Sequence, residues 1–116
     1  MAQYLIALHH PDNHDPFAVH DEATQSALDA LNGEMIAADV RVFVGCLRPA
    51  SCSKLLQVNQ AGDVTVSDGP YARAAGQVGG FWVLEVASAD EALAWGRKAA
   101  AVCRVPVEVR PFFVMA

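Results

Sequence analysis

The sequence predicts an α+β domain of the ferredoxin-like kind, a βαβ–hairpin–βαβ sandwich spanning residues 1–116. Three observations predict it. Four short apolar or β-branched runs, at residues 4–8, 40–44, 80–86 and 105–109, read as strands. Two stretches of helical spacing join them in pairs, and a hairpin pattern sits between the halves. A chain of 116 residues with 53% hydrophobic content is one domain's length, with a core large enough to need no staples.

The elements follow in order. Tyr4 to Leu8 is a continuous apolar run, and the polar loop from His9 to Asp15 contains Pro11. A helix start has two candidates: Asp15 with Pro16 at the first helical position, or Asp21. Ala23, Ala27, Leu28, Leu31, Met35 and Ile36 then recur at helical spacing as far as Ala38-Asp39. Val40 to Val44 is β-branched and aromatic, hence a strand. Leu55–Asn59 and Asp63–Ser67 flank Gln60-Ala61-Gly62 as a peripheral hairpin. Gly80 to Val86 is the most apolar strand. Ser88-Ala89-Asp90-Glu91 is a capping box, and the helix it opens has a small-residue face of Ala92, Gly96, Ala99, Ala100 and Cys103 that can lie close on a sheet. Pro106 stops the helix. Val105, Val107 and Val109 alternate with Pro106, Glu108 and Arg110 in a last strand.

Two helices cover only one face of a four-stranded sheet, yet both faces are apolar. Tyr4, Ile6, Leu8, Val42, Val44, Trp82, Leu84, Val107 and Val109 alternate with Leu5, Ala7, Phe43, Phe81, Val83 and Phe112. An open face of the second kind is a patch soluble monomers rarely carry, so a second copy packed sheet to sheet is expected. Gln3, Arg41, Glu85, Glu108 and Arg110 share that face. Ion pairs such as Arg41 with Glu85 are expected there, or a polar ligand.

Net charge of -5 argues against nucleic acid and against anionic membrane as partners. Cys46, Cys52 and Cys103 are odd in number and at no metal spacing, which fits reduced thiols in a cytoplasm. The start of the chain lacks a basic signal region, and no stretch approaches a membrane span.

Site candidates gather at few places. Ser67-Asp68-Gly69-Pro70-Tyr71 is a stiff corner: Asp68 can accept from nearby backbone N–H groups, Gly69 can take positive φ, and Pro70 restricts both. It holds the Asp68 carboxylate and the Tyr71 phenol in place, as an Asx-turn alone or as a turn that also contacts a ligand. His9 ends the first strand on the open-face side. His9, His10, His14 and His20 lie near Asp12 and Asp15 at a spacing that matches no metal site, so no metal is expected. Cys52, Ser51 and Ser53 have no visible base or nucleophile-elbow context. Glu108 and Arg110 read as an ion pair, and Phe81 and Trp82 as core. No glycine loop precedes a helix in phosphate-cradling form, so no cofactor is expected.

Asp68-Gly69-Pro70-Tyr71, Gly79-Gly80-Phe81, the helix from Asp90 to Ala99, the stretch from Ala30 to Ser51 and Val107 to Phe112 together resemble the YCII-related family in its DGPF branch, over essentially the whole chain. The resemblance implies a dimeric ferredoxin-like α/β barrel. It implies no agreed reaction, enzymatic activity by fold analogy alone, and for some members an association with extracytoplasmic-function sigma factors. The chain departs from the pattern where it has Arg73, Ala75 and Gly76 in place of an acid, a Lys and a Glu. The related branch's helix-one histidine falls near Leu28, so that role does not carry over. Asp39 and Cys46 replace usual glycines, and Asp39 is expected to close the first helix in a left-handed conformation.

Two functions follow as expectations. One is a homodimeric small-molecule-binding protein or cofactor-free acid–base enzyme. Its pocket would be lined by His9, Asp68, Tyr71 and Arg110, with Asp68 or His9 moving the proton. The other is a non-catalytic regulatory module working with a sigma factor.

Overall fold

The computed structural model describes residues 1–11, 21–71 and 76–113. Six strands and two helices follow one another: β1 (Ala2–His10), α1 (Glu22–Ala37), β2 (Arg41–Cys46), β3 (Lys54–Val58), β4 (Val64–Asp68), β5 (Gln77–Val86), α2 (Ala89–Cys103) and β6 (Val107–Pro111). Four strands form one antiparallel sheet in the order β2-β5-β1-β6. Each β–α–β unit brackets a strand of the other, which is the ferredoxin-like α+β arrangement. β3 and β4 pair only with each other, as a separate two-stranded ribbon.

Local chemistry explains the element ends. Of the two candidate caps, Asp21 is the one observed: its carboxylate accepts from the Thr24 backbone N–H at 2.6 Å, and α1 begins at Glu22. The alternative at Asp15-Pro16 lies outside the described residues. α1 closes as expected, with Asp39 at φ 57°. Ser88 accepts from the Glu91 N–H at 3.2 Å, while the Glu91 carboxylate reaches past the cap residue to the Ala87 N–H at 3.0 Å. α2 ends at Cys103 before Pro106 intervenes, because Arg104 takes the left-handed conformation usually given to glycine (φ 57°, ψ 37°).

Both helices pack on one sheet face. The core is Ile6, Leu8, Leu31, Met35, Val40, Trp82, Leu84, Val86, Ala92 and Ala99. The buried stripe of α1 runs through Leu28, Leu31 and Met35. Ala23, Ala27 and Ile36 fall outside it and are exposed, against the wider stripe read from spacing. Asn32 sits among these apolar residues with its polar groups used: its amide donates to the Leu28 carbonyl, and its oxygen accepts from the Trp82 indole at 2.9 Å and from Arg41 at 3.3 Å. A salt bridge from Lys98 to Glu34 at 3.1 Å ties α2 to α1 on the outside.

Two register shifts correct the face assignments. In β2, Arg41 pairs with Leu84 and Phe43 with Val83, so Val42 is an extra residue in a bulge. Residues N-terminal to a one-residue bulge change faces. Arg41 therefore shares the helix-covered side of Leu84 and bonds Asn32 instead of pairing with Glu85. Val42, expected in that core, is exposed. In β5, Leu8 opposes Gly80 and His9 opposes Val78, which leaves Gly79 unpaired. A Cβ at Gly79 would collide with the His10 imidazole, so a side chain there would require that ring to move.

α2 lies close to the sheet at Gly96, where a Cβ would stand 2.7 Å from Val109 Cγ2, a branched atom with little freedom to yield. Gly96→Val should lower unfolding stability by about 2 kcal/mol through overpacking, read as a lower urea midpoint at unchanged slope. An unchanged midpoint would mean that α2 does not seat on β6 through this residue.

Candidate functional site

The sheet face away from the helices carries Leu5, Ala7, Phe43, Phe81 and Val83, cross-strand neighbours on β1, β5 and β2. Phe43 and Phe81 stack with ring centroids 5.8 Å apart over Gly45, whose missing side chain leaves room for the Phe43 ring. Phe43 and Phe112 are about half exposed.

At the β6 side of this face stands a row of three ionisable residues. Glu108 opposes Ala7 and Arg110 opposes Leu5, so alternate positions of β6 aim both onto the open face, and His9 joins them two residues beyond Ala7. Arg110 donates to Glu108 Oε2 at 2.9 Å, and His9 Nε2 lies 3.5 Å from Glu108 Oε1, an ion pair when the imidazole is protonated. The His9 backbone N–H donates to the Pro106 carbonyl at 3.0 Å, fixing the strand end that carries the ring. The Arg110 hydrogen bond and charge, with a smaller contribution from His9, hold the Glu108 carboxyl below its ordinary value of 4.5.

A cavity of about 370 Å³ adjoins this row, lined by His9, Pro11, Gly76, Arg104, Val105 and Pro106. Arg104, in its left-handed turn, is one of the residues lining this wall, and it makes no ion pair among the described residues. A shallower depression of about 420 Å³ lies between the 47–53 loop and β5, lined in part by Arg48, Cys52 and Gln77. Cys52 belongs to a short 3-10 turn, Ala50–Cys52, and is exposed, as is Cys46. Burial, with a smaller contribution from Cys46, raises the Cys103 thiol above its ordinary range.

The four residues expected to form one pocket divide into two groups. His9 and Arg110 meet through Glu108. Asp68 is the last residue of β4 on the ribbon, where its carboxylate accepts from Lys54 Nζ. Gly69 has φ 101°, as the corner requires, and its N–H donates to the Ser53 carbonyl at 2.8 Å. Tyr71 is exposed. Within one chain neither Asp68 nor Tyr71 contacts His9 or Arg110 among the described residues. Sequence reading passed over Arg104, because its signal is conformational: a helix that ends on a non-glycine residue with positive φ. It also passed over Asn32, whose three partners are dispersed along the chain.

Among the described residues no three His, Cys, Asp or Glu side chains gather as a metal site, and His14 and His20 lie outside them. No helix among them is long and apolar enough to cross a membrane. The YCII-related domain model matches residues 2–115. The chain belongs to the YCII-related family. No curated protein matches it. For this YCII-related domain the fold comes from the structure, and the chemistry must be read from the side chains.

The lowered Glu108 carboxyl has a pH signature. A carboxyl depressed in the folded state stabilises the fold above its unfolded pKa, and that contribution is lost as pH falls through the folded value. Wild-type stability should therefore drop more steeply below about pH 4.5 than that of Glu108→Gln, with the two curves running parallel above pH 6. Equal acid limbs in urea titrations would show that Arg110 and His9 do not hold Glu108 in solution.

Proposed function

We propose that this YCII-related domain is a homodimeric small-molecule-binding protein of the DGPF branch, acting in the cytoplasm, with the chemistry of a cofactor-free acid–base enzyme. The observation that carries the reading is the His9–Glu108–Arg110 row, at the border of an apolar sheet face and beside a cavity walled by Arg104. An imidazole with a carboxylate behind it is the arrangement that moves a proton, with Glu108 orienting the ring. Arg110 and Arg104 suit an anionic group on the ligand, most simply a carboxylate.

The dimer reading is supported by the half-exposed aromatic residues of the open face and by the helices lying on the other side only. Asp68 and Tyr71 enter the pocket in this proposal only on association, since within one chain they stand apart from His9. Three cysteines without a disulfide fit the cytoplasm. The alternative, a non-catalytic module that docks on an extracytoplasmic-function sigma factor, draws on the exposed apolar ribbon of β3 and β4.

A thermal-shift screen of small carboxylic acids tests the proposal. A ligand at a hundred times its Kd should add about 2.7 kcal/mol, or roughly 10 °C or more in Tm for a domain of this size. The shift should vanish in His9→Ala and in Arg104→Ala while their unliganded melting stays close to wild type. A folded wild type that no acid stabilises, or a shift that survives both substitutions, overturns the assignment of this site.

A further inference from the structure

We propose that the β3–β4 ribbon is an arm that packs on a second copy of this chain. The inference rests on the homodimer reading above and adds to it a second, separate contact.

The ribbon is built locally and in full. Its register pairs Lys54 with Asp68, Leu56 with Val66 and Val58 with Val64. Directly opposed residues share a face, so one side carries an ion pair at the root followed by four aliphatic side chains toward the tip. The tip is closed by Asn59, whose side-chain oxygen accepts from the Ala61 and Asp63 N–H groups at 2.9 and 3.0 Å, with Gly62 at φ 89°. The root is held by the bond from Gly69 N–H to the Ser53 carbonyl and by Lys54 with Asp68. These local bonds set the shape of the arm at both ends.

Its aliphatic side is bare. Leu56, Val58, Val64 and Val66 are between 59% and 69% exposed, a plate on the order of 400 Å², the size of the largest and often functional apolar patch of a soluble monomer. The ribbon's substantial packing is between its own two strands. A two-stranded ribbon alone is marginal in water, so a plate of this composition implies a surface that covers it.

The area and its position point to another copy. The chain exposes 7970 Å², about 1,900 Å² more than the ~6,100 Å² typical of a compact monomer of 12.3 kDa. An excess of this order is comparable with what each partner buries in a large dimer, and the projecting ribbon contributes to it. The exposed apolar residues also form one series along the chain: Phe43 on edge strand β2, Leu47 just after it, then the ribbon plate. The arm thus springs from the same sheet edge as the aromatic face that the dimer is proposed to cover. In a two-fold assembly each copy supplies both an arm and the surface for the other's arm.

The test places a photo-crosslinking benzoylphenylalanine at Val66 in the full chain and mixes light and heavy-isotope protomers before irradiation at micromolar concentration. Mixed-isotope crosslinked peptides are expected. Crosslinks within one chain only, or to a different protein when the producing cells are irradiated, overturn the arm. In parallel, Leu56→Asp with Val66→Asp should weaken the dimer at least about tenfold by sedimentation while circular dichroism stays native. An unchanged dimer Kd overturns the arm alone if Phe81→Asp does dissociate the dimer. A wild type that sediments as a monomer removes the homodimer reading, and the arm with it.

Discussion

Two helices of 16 and 15 residues can cover one face of a four-stranded sheet and no more, and the remaining features of this chain are arranged around that limit. The covered face is made compact by small residues. Gly96 removes the spacer between α2 and Val109, and Ala92 and Ala99 continue the same line, so helix and sheet approach until Val109 touches the helix backbone region. Large side chains come from the other partners: Ile6, Leu84 and Val86 from the sheet, Leu31 and Met35 from α1. The uncovered face has the reverse economy. Its aromatic residues project outward, and only Ala7 among its central positions is fully buried.

Two bulges decide which charges meet. Without the extra residue at Val42, Arg41 would point to the open face toward Glu85. With it, the guanidinium lies over Asn32, which already receives the Trp82 indole. The open face consequently keeps its cations on β6 rather than on β2. The bulge at Gly79 acts at the opposite end. It offsets β5 against β1 just before His9, and the absent side chain admits the His10 ring. One strand end thus carries two adjacent imidazoles on different surfaces, with only His9 joined to Glu108.

The cap at Ser88 and the small face of α2 were legible from patterns local in the chain, Asp21 was legible as one of two candidate caps, and the left-handed Asp39 was legible from the glycine usual there in the family the chain resembles. So was the hairpin, from its turn at Gln60-Ala61-Gly62. The face of Arg41 was not legible, since alternation along β2 holds only while the register is unbroken, and nothing in Arg41-Val42-Phe43 announces a bulge. The narrow stripe of α1 was misread because Ala23, Ala27 and Ile36 obey helical spacing without being needed by the core. Asp68 was legible as part of a stiff corner but not as Lys54's partner, because the residues between them form a ribbon whose register brings positions 14 apart together. The His9–Glu108 contact spans nearly the whole chain and depends on β1 lying between β5 and β6, a topological fact no local pattern encodes.

The charge row has a consequence for any ligand. Glu108 is already shared between Arg110 and His9, so the row is neutral when His9 is neutral and singly positive when it is protonated. An anion arriving beside it meets no uncompensated carboxylate, and Arg104 on the cavity wall adds a further positive charge. With His9 neutral, Glu108, Arg110 and Arg104 sum to one positive charge, against -5 for the whole chain. Covering the open face with a second copy would strengthen every one of these interactions by removing water, since an ion pair formed beforehand loses less on desolvation than separated charges do. In the proposed dimer, selectivity for an anionic ligand and the covering of the sheet would depend on one another: the desolvation that the apolar face favours would also sharpen the preference of a guanidinium beside a His–Glu pair for an anion.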